Sequence, residues 1–400
     1  MQVGVGVSEA QDSYTAGEEA IKMALAKAKR SDPCDIVLLF ATATHHPKEL
    51  RSAVAAKVGH DVAIVGGGSI GIITNNYYGY AGDQVGVAAI WLDGVGCELY
   101  SEGSLVNQEE KIGNRLGKRL AARGTTPDTP SILFYDAVVR TGDSVRLNLA
   151  TPLLQGLEKG LGFLPSKLVG AGLQGDFDGT PTYQWTGADT AEENAIMLTF
   201  SDMEIDSVIM HGCRPAGEYY TVTKSEGQTI LEINGQPAVP FIESQLTPSL
   251  PAEAFPFFMI FGINRDPEGK YSEKNYANRL CLDIDKARNG IVMFESDMVP
   301  GTKFQIMYRS LDLDYIPPRI EHIFNRQAGR RPVFALYIDC AGRAARYSTD
   351  LEDAVVVQRA VNNRVPLLGL YTGVEIAPIM NRPRTLDWTG VFCLFSVPAE

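Results

Sequence analysis

Three groups of residues in this 400-residue chain have the types and spacing to do chemistry. The first is Arg343 with Glu375. Arg343 closes the run Cys340-Ala341-Gly342-Arg343, which follows an apolar strand-like stretch, and Glu375 sits just past a second such stretch in Gly373-Val374-Glu375. A guanidinium can clamp a carboxylate through two parallel N–H bonds. A carboxylate can meet an amine, so the pair would suit a zwitterionic amino acid. The alternative is a purely structural Arg–Glu pair. The second group is a pair of glycine turns, Gly66-Gly67-Gly68-Ser69 and Gly170-Ala171-Gly172, each read as following a strand. Backbone without Cβ atoms can approach a ligand and present N–H groups to a carboxylate; the alternative is a tight turn and nothing more. No convincing helix follows either turn, which argues against a dinucleotide fingerprint. The third group is His211-Gly212-Cys213-Arg214, where the texture of the chain changes. His211 or Cys213 could ligate haem iron, with Arg214 on a propionate; the alternative is a domain-junction turn with a partly exposed histidine.

Other chemistry finds no support. There is no GxSxG elbow, Walker loop or HExxH. The six cysteines include no CxxC spacing, so neither a zinc finger nor a redox dithiol is expected. His45-His46 has no cysteine or acidic partner nearby in sequence, and no metal centre is expected. Cys340 reads as a small core residue more than a nucleophile, and the chain as a binding protein; the alternative is an uncharacterised enzyme using Cys340 or the glycines.

The elements that must position these residues are written twice. Residues 1–94 run strand, helix, strand, helix, strand, glycine turn, strand, and residues 95–204 repeat the order. Asp35-Ile36-Val37-Leu38-Leu39-Phe40 in the first copy answers Ser131-Ile132-Leu133-Phe134-Tyr135-Asp136 in the second. Continuous apolar runs of this kind are strands covered on both faces. After residue 200, strand-like segments separated by Ser225-Glu226-Gly227 and Asn234-Gly235 read as antiparallel hairpins, and near the end the α/β pattern returns. The expected architecture is mixed α/β, with a tandem-repeat domain over residues 1–222 and a second domain, partly antiparallel, over 223–400. The ligand would lie in the cleft between them.

The net charge of −12 argues against nucleic acid and against an anionic membrane surface. No stretch approaches the ~18 consecutive apolar residues of a membrane span. The N-terminus opens on strand-like alternation and lacks a signal-peptide layout, which predicts a cytoplasmic protein.

With these motifs in view, the chain resembles the FIST family, which has N-terminal and C-terminal parts. The N-terminal likeness rests on the tandem units, above all Val65-Gly66-Gly67-Gly68-Ser69-Ile70-Gly71. The C-terminal likeness rests on Leu231-Glu232-Ile233-Asn234-Gly235-Gln236-Pro237-Ala238, on Ile338-Asp339-Cys340-Ala341-Gly342-Arg343, and on the run from Pro366 through Gly373, Glu375 and Pro378. The resemblance implies a sensory-input module that binds a small ligand, with amino acids as candidates. It further implies a signal passed to a separate histidine kinase or cyclic-dinucleotide enzyme, since this chain contains no output domain. One branch of the family is similar to haem-binding nitric-oxide sensors, which makes haem the alternative cofactor to none at all. No local motif encodes the ligand's identity or the oligomeric state.

Overall fold

The computed structural model describes the whole chain except residues 142–143, 247, 249, 257, 311, 345–350 and 400. The fold is mixed α/β, and its elements fall into three units of one plan. The first unit is β1 (Gln2–Ser8), α1 (Ser13–Ala28), β2 (Ile36–Ala41), α2 (Pro47–Val58), β3 (Ala63–Gly68), a hairpin of β4 (Gly71–Thr74) and β5 (Tyr78–Tyr80), and β6 (Val85–Trp91). The second is β7 (Gly96–Glu102), α3 (Glu109–Ala122), β8 (Ser131–Asp136), a small ribbon of β9 (Val138–Thr141) and β10 (Ser144–Leu147), α4 (Ala150–Leu161), β11 (Leu168–Leu173), the hairpin β12 (Gln184–Gly187) and β13 (Thr190–Ala191), and β14 (Ala195–Ser201).

The third unit begins at β15 (Glu204–Met210) and is at once interrupted. The insertion comprises β16 (Cys213–Glu226), β17 (Thr229–Ile233), β18 (Gln236–Pro237), α5 (Ala238–Gln245), β19 (Ile260–Asn264), β20 (Tyr276–Asp285), β21 (Gly290–Met293) and β22 (Lys303–Arg309). The unit then resumes with α6 (Ile316–Asn325), β23 (Arg330–Cys340), α7 (Asp353–Val361), β24 (Leu367–Thr372), the hairpin β25 (Val374–Ile379) and β26 (Arg382–Leu386), and β27 (Gly390–Pro398). The tandem repeat read from the sequence is therefore joined by a third copy, split by the insertion.

The three sheets share one strand order. They run β1-β6-β2-β3-β12-β13, β7-β14-β8-β11-β25-β26 and β15-β27-β23-β24-β4-β5. In each, the unit's second and third strands pair in parallel across a helical crossover. The edge beyond them is closed by a hairpin from another unit: β12 of the second unit pairs with β3, β25 of the third with β11, and β4 of the first with β24. The exchange is cyclic, and it covers edges that would otherwise expose unpaired backbone.

The period-2 alternation of the central strands sorts the core. Leu38 and Phe40, Ile132 and Phe134, and Leu336 and Ile338 all point into one shared cluster, where Phe40 and Phe134 meet edge to face at 5.3 Å. The intervening residues face the helices: Val37 and Leu39 pack against α1 and α2, Leu133 and Tyr135 against α3 and α4, and Ala335 and Tyr337 against α6 and α7. Burial on both faces is why these strands read as unbroken apolar runs. The insertion closes on itself in the order β16-β22-β19-β20-β21-β17, with β17 returning to β16, and forms an antiparallel barrel.

Candidate functional site

The glycines singled out from the sequence lie within strands, not in turns after them: Gly66, Gly67 and Gly68 in β3, Gly170 and Gly172 in β11. The reason is the closeness of neighbouring chain. Gly66 has φ +139°, and a Cβ there would collide with the Leu39 carbonyl of β2. At Gly67 a Cβ would come 2.7 Å from the Tyr183 carbonyl, and at Gly170 it would collide with that of Leu133. The nearby polar groups are engaged. Gly68 N–H donates to Tyr183 O (3.1 Å), Ser69 N–H to Ala41 O (2.8 Å), and Gly373 N–H to Gly172 O (3.2 Å). The Ser69 hydroxyl reaches the carbonyls of Gly71 (2.5 Å) and Tyr371 (3.2 Å). These residues stitch the ends of the three units together.

Arg343 and Glu375 reach the same interior, but their hydrogen bonds go to different partners. Arg343 is 3% exposed. Its Nε–H donates to Asp339 (3.0 Å), and its Nη2 to the Tyr315 hydroxyl (3.1 Å) and the Asp353 carboxylate. Glu375 accepts from the Thr372 hydroxyl at 3.1 Å, and its other oxygen is buried without a partner among the described residues. Burial, and then Asp387 and Asp339, push the Glu375 carboxyl well above the usual range.

His211 is also interior. Its Nδ1 accepts from Cys213 N–H (2.9 Å) and its Nε2 faces the Glu273 carbonyl (3.0 Å), which fixes the neutral Nε2–H tautomer. Burial holds its pKa below the ordinary value. The Cys213 thiol donates to the His211 carbonyl and is pushed up to about 12 by burial, while Arg214 is exposed on β16. Iron at His211 would have to displace one of two internal bonds. Burial likewise pushes the Cys340 thiol well up, away from the thiolate that a nucleophile needs.

A cavity of about 250 Å³ lies where α4, the β25–β26 hairpin and the inserted barrel meet. From α4 come Thr151, Leu154, Gln155 and Glu158; from the hairpin Arg382, Arg384 and Thr385; from the barrel Arg265, Arg279, Asp297 and Thr302. Arg279 is fully buried and fully engaged. Its Nε and Nη2 each donate to Asp297 at 2.6 Å, and its Nη1 and Nη2 reach Thr385 O (2.9 Å) and Oγ1 (2.8 Å). Arg382 pairs with Glu158 at 2.7 Å. Two guanidinium groups are left over. Arg265 comes no nearer than 3.6 Å to Asp297, which Arg279 already occupies. The Nε–H groups of Arg265 and Arg384 are both buried without an acceptor among the described residues. Burial, and then Arg384, lower the Arg265 pKa to about 10; burial and Arg382 lower that of Arg384.

Behind Arg279 the polar seam continues. Asp387 accepts Leu280 N–H at 2.9 Å, and burial pushes its carboxyl up to about 6 against the pull of Arg279. Glu295, pushed up to about 7 by burial, accepts the N–H groups of Ala150 and Thr151 at 3.0 Å each and so caps α4.

None of the four cavity arginines is evident from sequence reasoning. The one local signal is Arg382-Pro383-Arg384, whose spacing puts two cations on one face of a strand. Arg265 and Arg279 join them only through the tertiary fold.

A repeat-built α/β body with an antiparallel barrel inserted in its third unit defines the class. The FIST N domain matches residues 35–236 and the FIST C domain residues 238–378. The chain belongs to the FIST family, whose domains are associated with small-ligand sensing in signal transduction. The two matches meet within the inserted barrel, beside β18. Among its relatives, uncharacterized protein Rv0628c of Mycobacterium tuberculosis is 24% identical over 416 residues, covering 99% of this chain and 100% of that protein. Uncharacterized protein Mb0898c of Mycobacterium bovis is 26% identical over 193 residues, covering 47% of this chain and 50% of that one. Among the described residues no helix is long and apolar enough to cross a membrane, and no His, Cys, Asp and Glu cluster could hold a metal ion.

Proposed function

We propose that this chain is a cytoplasmic sensory module that binds a small carboxylate-bearing metabolite, a class that includes amino acids, in the arginine-lined cavity. The observation that carries the reading is the pair of buried Nε–H groups on Arg265 and Arg384 that lack an acceptor among the described residues. An unmet buried donor costs about 1–3 kcal/mol, and more when charged. A carboxylate would supply the missing acceptors through charge-assisted bonds. The cavity walls come from the second unit, the hairpin of the third and the barrel, so an occupant would tie the barrel to the body and favour one arrangement of the two. A separate partner, a histidine kinase or a cyclic-dinucleotide enzyme, would read that arrangement. In this account the strand-end glycines, Arg343 and Glu375 hold the interior behind the cavity. A thermal-shift screen of carboxylates and amino acids tests it. Ligands that stabilise the wild type should fail to stabilise Arg384→Gln. Hits that act undiminished on the variant would put the ligand elsewhere.

A further inference from the structure

Resting on that reading of the cavity, we propose that its ligand is a small dianion, a dicarboxylate or a phosphate group, gripped between the guanidinium groups of Arg265 and Arg384. Charge is the first argument. Asp297 is taken up by Arg279 and Glu158 by Arg382, so Arg265, 3.6 Å from Asp297, and Arg384 line the partly desolvated space with no closer carboxylate of their own among the described residues. A neutral zwitterion would not relieve their repulsion and would bring an ammonium group among four arginines, whereas two negative charges match two guanidinium groups.

The nearby helix start adds no competing anion site. The first N–H groups of α4, at Ala150 and Thr151, are already held by Glu295, so recognition falls to the arginines. Size is the second argument. The 250 Å³ space is smaller than the ~300–1,000 Å³ of pockets for drug-sized ligands. Leu154, Leu164 and Pro383 on the wall offer apolar contact to the short aliphatic spine of a dicarboxylate.

The arrangement carries a signature that a structural ion pair lacks. Arg265 and Arg384 each lie under the repulsion of a neighbouring arginine, with no tight internal partner among the described residues, so neutralising either should leave the ligand-free fold at least as stable as before. Residues kept at the expense of stability mark functional sites.

Isothermal titration of the full-length protein at mildly alkaline pH and fixed ionic strength tests the proposal, with succinate, phosphate, acetate and alanine as titrants. Succinate or phosphate should bind at least about tenfold more tightly than acetate. The tighter of the two identifies whether the charges sit on one centre or on two. Arg265→Gln and Arg384→Gln should each weaken that binding by about tenfold or more without lowering the melting temperature of the ligand-free protein. Acetate or alanine binding as tightly as succinate and phosphate would overturn the dianion while leaving the cavity as the site. Failure of every anion to bind would remove the cavity reading and the inference with it. Lower melting temperatures in both variants would make the arginines structural and overturn the grip.

Discussion

Asp387 shows how burial at a single residue becomes a property of the whole protein. Its carboxyl, ordinarily at 3.8, is pushed to about 6 by burial despite Arg279. Between those values the folded chain keeps a proton that the unfolded chain has released. This group therefore stabilises the fold fully below about pH 4, and the contribution is lost as pH rises to about 6. At 1.36 kcal/mol per pKa unit the change is about 3 kcal/mol at most. Asp387→Asn retains an acceptor for Leu280 N–H and cannot titrate. The stability of the wild type relative to Asp387→Asn, measured by denaturant titration, should fall by up to about 3 kcal/mol between pH 4 and pH 7. A difference that does not change with pH would mean that Asp387 ionises alike in both states. Asp387 went unnoticed in the sequence because one acidic residue among 48 reveals nothing about burial. Arg343 stood out by its type and its place after a strand, and it is indeed beside a strand end. Its partners Asp339, Tyr315 and Asp353 are fixed by the fold, beyond the reach of spacing.

The packing of α3 on α4 separates what a sequence predicts from what a structure predicts. Alanine is favoured over glycine inside a helix by about 1 kcal/mol, so Gly156→Ala in α4 reads as stabilising. In the folded protein a Cβ at Gly156 would collide with the Glu110 carbonyl of α3, and Gly113 meets the Leu153 carbonyl in the same way from the other side. Overpacking of this kind costs about 1–3 kcal/mol. Gly156→Ala should therefore lower the unfolding midpoint, with a net loss of stability of up to about 2 kcal/mol; a raised midpoint would show that the helices can separate freely. The same physics explains why the glycines of β3 and β11 read as turns. A glycine run after aliphatic residues is a turn signal on local grounds, and only the Leu39 and Leu133 carbonyls, supplied by the neighbouring strands, make it a strand. The apolar runs 36–40 and 131–135 were legible because burial on both faces leaves its mark on composition.

At the scale of the whole molecule, three units exchange hairpins in a cycle around one core. Two of the units were legible as a tandem repeat. The third was not, because the barrel over residues 213–309 separates its first strand from its first helix. The cavity was illegible for a related reason: its walls come from residues 151–164, 265–302 and 382–385, which meet only when α4, the barrel and the β25–β26 hairpin are assembled. This composite origin underlies the claim that an occupant links the barrel to the body. The most direct test observes the two unmet donors themselves, through the arginine Nε–H resonances of isotope-labelled full-length protein, assigned by Arg265→Gln and Arg384→Gln. Saturation with succinate or phosphate should shift both resonances strongly, as each Nε–H gains an acceptor. Resonances that stay in place while either anion saturates the protein would contradict the account, because the ligand would then lie outside this cavity.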